Sequence, residues 1–393
     1  MERRRPRRPA PHPRSPGQSP ADSAATRPGR VMKRLPHGAP ASSPALRWAA
    51  RLVMVLLPGG FAALALAGCA AGDRDETDET RGTDVTETPV SFPAAPPDGP
   101  IPEIGPAPAD YVPTAVGVPA TDIWLATVIR DGTALRVSGL ERATDRDGYD
   151  NQPSFLLDGS AILYTTALER RQTEITRLEV TSGAESAITL AEQLTHTEAS
   201  EFSALQIPGQ EAFSAIHELR GKQYLWRYDL SGEPLGPIFA TAEPVGYHAW
   251  ANGSIVAMFI LGDPATLQVG DALSGEIRTV AEHPGRSLHR IPGTEEISFV
   301  RKVSDEVWWI ERLDPAAGTT VRITRTLPGR EDYAWTPEGE ILMGDGSRLF
   351  SWSEGSDWTG ISDFADLGLE GITRLAVSPD GARIAIVANR PAG

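Results

Sequence analysis

The chain has 393 residues, with 37 lysines and arginines, 52 aspartates and glutamates, and one cysteine. Twelve of the basic residues but only two of the acidic ones lie in residues 1–68, so residues 69–393 carry a formal charge of about −25. A body this acidic repels phosphate backbones, which argues against nucleic-acid binding. A single cysteine excludes a framework of internal disulfides.

An apolar stretch precedes that cysteine. Residues 52–57 and 61–67 are apolar, Pro-Gly-Gly interrupts them, and Arg47 and Arg51 flank their start. A positive flank, a short apolar region and small residues before a cut site are typical of a secretory signal, whereas a membrane-spanning helix needs about 20 apolar residues. We predict that residues 1–68 are a signal peptide, and we interpret residues 1–31 as an extension upstream of a start at Met32.

The end of this segment carries the most specific motif of the chain. Residues 66–69 read Leu-Ala-Gly-Cys and resemble the lipobox of bacterial lipoproteins. The resemblance implies cleavage between Gly68 and Cys69, a diacylglycerol on the Cys69 sulfur and an acylated new amino terminus. Several acyl chains anchor stably where one is marginal. Residue 70 is alanine rather than aspartate, which resembles the sorting pattern for the outer membrane, with the protein facing the periplasm. The alternative is a buried structural cysteine.

Residues 69–117 have the composition of a spacer. An acidic run at residues 73–80 is followed by nine prolines between Pro89 and Pro113. Like charges and prolines keep a chain extended and leave it too few apolar residues to form a core. At ~3.1 Å per residue, such a segment spans up to about 140 Å. We predict a disordered tether, which either positions the folded body at a partner or makes no specific contacts.

The folded body, residues 118–393, is built on a repeat. A turn glycine between two apolar strands recurs six times at intervals of 40 to 50 residues, at Gly159, Gly209, Gly253, Gly293, Gly339 and Gly381. Glycine suits such hairpin turns because it accepts a positive φ. A second hairpin lies between successive turns, which makes four strands per repeat. Four-stranded units at this period are propeller blades.

The order of the hairpins predicts how the ring closes. The body opens with a second-type hairpin around Gly132 and ends on a first-type hairpin around Gly381, so five blades are complete and two half-blades remain. Pairing the half-blades gives a sixth blade and removes exposed strand edges. We predict an all-β fold, a six-bladed β-propeller closed by its N-terminal and C-terminal hairpins.

Two of the repeats also resemble a known family. Residues 152–159, Gln-Pro-Ser-Phe-Leu-Leu-Asp-Gly, and residues 375–381, Leu-Ala-Val-Ser-Pro-Asp-Gly, are similar to the WD-like repeats of TolB-type propellers. The resemblance spans residues 118–393 and implies the fold. It does not imply one activity, because propellers host many functions.

The segments at the start of the innermost strands are expected to face one mouth of the channel. The candidate ligand contacts in these segments are Asn151, Gln152, Glu201, His248, Arg286, His289, Asp332 and Arg374. A divalent metal held by His248, His289 and the carboxylate of Asp332 or Glu201 suits these donors. The alternative is a polar rim that contacts water, neighbouring loops or a ligand without catalysis.

The remaining motifs carry no catalytic signature. There is no Gly-x-Ser-x-Gly elbow, phosphate loop or dinucleotide fingerprint. We predict that His196, His217 and His283 lie on the surface. Trp308 and Trp309 are interpreted as one core residue and one outward residue of a strand.

Together these patterns favour a membrane-anchored lipoprotein of the bacterial cell envelope, whose propeller is a scaffold that binds a protein, an envelope polymer or a ligand. The main alternative is a propeller hydrolase or lyase with a metal at the channel mouth. A sensor of small molecules or carbohydrates is the third.

Overall fold

The structure is a computed structural model that describes residues 102, 104–107, 118–132, 134–168, 172–181 and 188–390. The predictions for the signal peptide, for Gly68 and Cys69 and for most of the tether lie outside these residues. Within the described part, the chain forms 24 β-strands and one short 3-10 helix at Ala365–Leu367.

The strands are numbered in chain order and have the following bounds: β1 Thr121–Asp131, β2 Ala134–Arg142, β3 Asp150–Phe155, β4 Ala161–Leu168, β5 Gln172–Val180, β6 Ile188–Gln193, β7 Ser200–Gln206, β8 Ala212–Leu219, β9 Lys222–Asp229, β10 Pro234–Pro237, β11 Val245–Trp250, β12 Ile255–Ile260, β13 Thr266–Asp271, β14 Ile277–Glu282, β15 Pro284–Arg290, β16 Ile297–Lys302, β17 Trp308–Asp314, β18 Thr319–Arg325, β19 Tyr333–Trp335, β20 Ile341–Asp345, β21 Arg348–Trp352, β22 Thr359–Asp363, β23 Glu370–Val377 and β24 Arg383–Asn389.

These strands form six antiparallel sheets of four strands each. Blades 1 to 5 take consecutive strands, from β3–β6 in blade 1 to β19–β22 in blade 5, and blade 6 has the order β2-β1-β24-β23. Hairpin-connected strands pair with their sequence neighbours, which is why each repeat forms one blade. The predicted six-bladed propeller is confirmed.

Blade 6 closes the ring as the hairpin order predicted. Strand β1 pairs with β24 over seven residue pairs, from Thr121 opposite Asn389 to Thr127 opposite Arg383. The two ends of the body therefore form one sheet, which leaves no unpaired inner edge at the closure. The buried carboxylate of Asp122 adds ion pairs with Arg142 at 2.5 Å and Arg390 at 3.3 Å.

The turn glycines adopt the conformation expected of them in five of the six repeats, with φ between 70° and 89°. Gly253 is the exception, because its turn is shaped by the preceding side chain. Asn252 Oδ1 accepts hydrogen bonds from the backbone N–H groups of Ser254 and Ile255, both at 2.9 Å. The Asn-Gly turn therefore does not need a left-handed glycine.

The core is divided among the interfaces between blades. Six clusters of buried apolar residues each combine side chains from two neighbouring blades. Between blades 5 and 6, for example, the fully buried side chains of Leu342 and Ile386 belong to one cluster. Stacking of sheet faces around the whole ring supplies the hydrophobic stabilisation without a disulfide.

One residue of the predicted tether contacts the propeller. Ile104 packs against the cluster between blades 1 and 2, and its carbonyl oxygen accepts a hydrogen bond from Arg220 Nη1 at 3.4 Å. At this position, the segment before the first strand lies against the propeller rather than free in solvent.

Candidate ligand-binding channel

A cavity of about 410 Å³ lies along the central channel, and all six innermost strands contribute to its wall. We call one end the strand-start end, lined by Tyr247, Arg286, Asp332 and Arg374. We call the other the turn end, lined by Leu157, Pro292, Pro337 and Pro379. Solvent reaches lining residues at both ends, since Leu157 is 49% exposed at the turn end and the Arg286 side chain is 39% exposed at the strand-start end.

The structure brings together six of the eight candidate contacts predicted from the sequence. The residues that line the cavity are Gln152, His248, Arg286, His289, Asp332 and Arg374. Asn151 and Glu201 do not line it. Asn151 Nδ2 instead donates to Thr121 Oγ1 in the closing blade at 3.2 Å, and Glu201 is fully buried. Ligand contact by any of the eight stays a prediction.

Irregular strand pairing explains how these side chains reach the channel. The register shifts in five of the six innermost strands, at 151–154, 202–205, 245–247, 284–288 and 370–374. A bulge turns successive side chains away from the regular alternation and bends the strand. Each shift lies beside or within a segment that supplies cavity residues.

Two of these bulges hold residues in the left-handed region. Gln152 has a φ of 56° and Ser203, at the equivalent place in the next blade, has a φ of 53°. Gln152 Oε1 accepts hydrogen bonds from Thr165 Oγ1 at 2.9 Å and from the backbone N–H of Ser203 at 2.8 Å. The hydrogen bond from Ser203 to Gln152 joins blades 1 and 2. The left-handed backbone at these two residues is strained, and such strain persists only where the surroundings fix it.

The strand-start end is a connected group of charged residues. Arg286 Nη2 lies 2.5 Å from Asp332 Oδ2, and its Nε lies 3.2 Å from Glu331 Oε1. Arg374 Nη1 lies 3.7 Å from Asp332 Oδ1, and its Nη2 donates to the Tyr247 hydroxyl at 3.0 Å. The Arg374 guanidinium also lies over the Tyr247 ring, 5.0 Å from its centroid. These contacts fix both guanidinium groups in the wall of the channel.

Tyr149 is a further part of this group. It is buried, and burial raises the pKa of its phenol to about 12, with smaller electrostatic contributions that include Arg374 and Tyr247. The phenol therefore stays neutral at physiological pH and does not cancel the charge of the nearby arginines.

The two channel histidines are neutral and separately bonded. Burial lowers the pKa of His248 to about 3 and that of His289 to about 4. His248 Nε2 lies 2.7 Å from Ser214 Oγ, and His289 Nε2 lies 3.0 Å from Ser287 Oγ. Among the described residues, no group of three or more His, Cys, Asp or Glu side chains is arranged to hold a metal ion. The metal site considered from the sequence therefore gains no support from this geometry.

Of the comparisons with known proteins, only the one with solved structures finds similar proteins, and it concerns the fold. No protein-family model matches the chain, and no curated protein matches it. A structure described as TolB from Agrobacterium tumefaciens superimposes with a TM-score of 0.51 at 16% identity, over 70% of this chain and 100% of that one. The chain has the fold of a TolB-like propeller.

Two further solved structures are similar at lower scores. TolB from Acinetobacter baumannii has a TM-score of 0.45 at 13% identity, over 67% of this chain and 63% of that one. Oligogalacturonate lyase from Vibrio parahaemolyticus has a TM-score of 0.42 at 12% identity, over 69% and 98%.

Within the TolB-like propeller, Glu201 belongs to a second polar group, between blades 1 and 2. Glu201 Oε1 lies 3.2 Å from the Tyr228 hydroxyl and 3.4 Å from His217 Nδ1, while its Oε2 has no hydrogen-bond partner. Burial, and to a smaller extent the adjacent Glu201 carboxyl, raise the pKa of Glu174 to about 8. Glu174 therefore keeps its proton near neutral pH.

The prediction that His217 lies on the surface is wrong. The residue is 7% exposed, its ring stacks on Trp226 with centroids 4.4 Å apart, and Nδ1 lies 2.8 Å from the Tyr228 hydroxyl. It is buried because strand β8 is covered by neighbouring blades. His196 and His283 are exposed, as predicted.

The two adjacent tryptophans of strand β17 have different surroundings, as expected from the sequence. Trp308 packs against the cluster between blades 4 and 5, and Trp309 lies under the guanidinium groups of Arg322 and Arg325 at 4.8 and 5.2 Å from its ring centroid. One tryptophan thus faces the core and the other faces outward.

In the described part of the TolB-like propeller, no helix is long and apolar enough to cross a membrane.

Sequence reasoning missed several residues of the channel. Ser203 contributes a strained backbone position and Tyr149 supports the charged end, whereas Tyr247, which positions Arg374, lies in a predicted rim segment but was not among the candidate contacts. Tyr247 and Ser203 lie in or beside predicted segments, so their position along the repeat was a usable signal. The bulges that decide their direction leave no mark in the sequence.

Proposed function

We propose that this protein is a lipid-anchored component of the bacterial cell envelope and that its propeller is a scaffold that binds a partner through the central channel. The observation that carries the binding role is the cavity of about 410 Å³ lined by fixed arginine, tyrosine and serine side chains. Its volume lies in the ~300–1,000 Å³ range of ligand pockets.

The anchoring role is supported by the sequence around Cys69. The Leu-Ala-Gly-Cys motif, the apolar region before it and the acidic, proline-rich spacer after it occur in the order that a lipoprotein requires. Ala70 at the position after the cysteine supports an outer-membrane destination, with the propeller in the periplasm. The spacer is long enough to hold the propeller away from the membrane surface.

A binding role is favoured over catalysis by the state of the channel groups. The Nε2 atoms of His248 and His289 are held by separate serine hydroxyls, and among the described residues no three His, Cys, Asp or Glu side chains converge to hold a metal ion. The arginines, in contrast, are held in place and point donors along the wall, which is a property of a binding surface.

Anchoring is tested by replacing Cys69. Cys69→Ala should abolish incorporation of radiolabelled palmitate and release the protein from the membrane fraction or leave it unprocessed. Ala71→Ser is the matched control, since it changes a small residue two positions away and should retain label and membrane fractionation. Labelled, membrane-bound Cys69→Ala protein would contradict the anchor.

Binding through the channel is tested by narrowing the turn end with a larger side chain at Leu157. Full-length protein carrying Leu157→Trp should capture less of any envelope partner than the wild type. Leu273→Trp is the control, because Leu273 is 50% exposed and does not line the cavity, whereas Leu157 is 49% exposed and does. Equal loss of capture in both variants, or in neither, would contradict binding through the channel.

A further inference from the structure

The cavity has an excess of positive charge inside an acidic protein. At the strand-start end, Arg286 and Arg374 lie beside Asp332, the one carboxylate among the described lining residues, and both channel histidines are neutral. The next ion pair outward, Lys302 with Glu331 at 2.8 Å, leaves the excess unchanged. With residues 69–393 at about −25 overall, a strand-start end of about +1 is a local reversal of charge.

Arg374 is the cation best placed to use that excess. Its side chain is 17% exposed, and its one hydrogen bond goes through Nη2 to Tyr247. The nearest carboxylate, Asp332, is 3.7 Å from Nη1, which is beyond hydrogen-bond distance, and Asp332 is already bound closely by Arg286. Nε and Nη1 of Arg374 are therefore donors that a ligand can take without breaking an existing bond.

The cavity wall also holds polar atoms that the protein leaves unsatisfied. His248 Nδ1 and Ser203 Oγ have no hydrogen-bond partner among the described residues, and both atoms are buried behind the surface of residues that line the cavity. Buried polar atoms without a partner cost free energy in the empty protein. A ligand or water in the cavity that reaches them removes this cost.

The turn end has the opposite chemistry. Leu157, Trp335 and three prolines line it and offer apolar surface, while Arg290 at this end is held to the turn by a hydrogen bond from its Nε to Thr294 O at 2.7 Å. A molecule that fills the channel therefore meets mostly apolar groups at the turn end and the guanidinium groups of Arg286 and Arg374 at the strand-start end.

We propose that the channel binds a carboxylate with an apolar body, with the carboxylate on Arg374 and the body along the turn end. This inference rests on the proposed function, because it names the chemistry of the ligand in the same channel. A guanidinium offers two parallel N–H groups in the geometry that a carboxylate accepts, which makes it a better match than a neutral amide of the same shape.

The test compares 4-phenylbutyrate with 4-phenylbutyramide, which differ in charge and not in apolar body. Saturation-transfer NMR measures binding of each probe to the full-length protein purified in detergent. Because both probes enter micelles, the readout is the difference between protein variants in the same detergent. Arg374→Met removes the charged fork, and Arg136→Met removes an exposed arginine of the same blade that does not line the cavity.

The wild type and Arg136→Met should bind the acid at least tenfold more tightly than the amide. Arg374→Met should bind the acid about tenfold more weakly, and Arg374→Lys, which keeps the charge but loses the fork, should lie between them. If Arg374→Met does not fold, Tyr247→Phe tests the same point, since it removes the hydroxyl that holds the guanidinium and should weaken binding several-fold.

Equal binding of acid and amide, failure of the wild type to bind the acid, or an Arg374→Met protein that binds as the wild type does would overturn the proposal. These results are independent of anchoring, which is read from palmitate labelling, and of partner capture. Partner capture that depends on Leu157 without a preference for the acid would reject the carboxylate while leaving the channel as the binding site.

Discussion

Replacing Glu174 by glutamine tests whether the Glu174 carboxyl group, between blades 1 and 2, keeps its proton at neutral pH. Glu174 Oε2 accepts from Thr195 Oγ1 at 2.7 Å and its Oε1 accepts from Gln172 Nε2 at 2.6 Å, beside the fully buried Glu201. Glutamine keeps the shape and offers an N–H₂ group to Glu201, but it does not ionise. The substitution therefore removes the titration with little change in packing.

The size of the effect follows from linkage. The pKa of Glu174 rises from an ordinary value of 4.5 to about 8 in the folded protein. Between these values the folded state holds a proton that the unfolded chain has released, so the free energy of unfolding falls as pH rises. A displacement from 4.5 to about 8 corresponds to at most about 5 kcal/mol, and we expect roughly 2–3 kcal/mol because an ionised carboxyl relaxes toward water.

The assay is urea unfolding of wild type and Glu174→Gln at pH 5, 6, 7 and 8. The variant should gain stability relative to the wild type as pH rises, by roughly 2–3 kcal/mol between pH 5 and pH 8. Other titrating groups are common to both proteins and cancel in the difference. Glu354→Gln, at an exposed position, is the control and should track the wild type. A difference that is constant with pH, or that falls as pH rises, would refute the raised pKa of Glu174.

Three further predictions concern packing, hydrogen bonding and sorting. Gly232→Ala should destabilise the protein by more than ~2 kcal/mol in urea unfolding, because the new Cβ would overlap a backbone carbonyl, whereas Gly275→Ala, with the same kind of φ and open space, should cost only about 1 kcal/mol. Ser298→Ala should cost about 1–3 kcal/mol in the same assay, since the buried hydroxyl accepts hydrogen bonds from Tyr333 at 2.7 Å and from a tryptophan at 2.8 Å. Ala70→Asp should move the protein to the inner-membrane fraction of an enterobacterial host on density gradients; unchanged outer-membrane fractionation would contradict the sorting prediction.

The architecture followed from the sequence because it depends on local chemistry repeated six times. Turn glycines such as Gly159 and Gly381 mark the hairpins, and their spacing gives the number of strands per blade. Even the closing blade was predictable, because a half-blade at each end of the body has one way to bury its edge. The pairing of β1 with β24 is the result.

The channel was predictable only in part. Position along the repeat placed Arg286, Asp332 and Arg374 near one another, and the structure joins them. The direction of the Glu201 side chain was not predictable. Glu201 lies directly before the register shift at 202–205, and contacts between blades decide where its side chain points. Burial of His217 depends likewise on neighbouring blades rather than on its own strand.

The most direct test of the proposed lipid anchor is whether Cys69 is the lipidated first residue of the mature protein. Mass spectrometry of the N-terminal peptide of the protein purified from membranes measures this. We predict a peptide that begins at Cys69 and carries a diacylglycerol on sulfur and an acyl chain on the amino terminus. A mature peptide that continues through Gly68 into the preceding apolar segment, with an unmodified thiol, would contradict it.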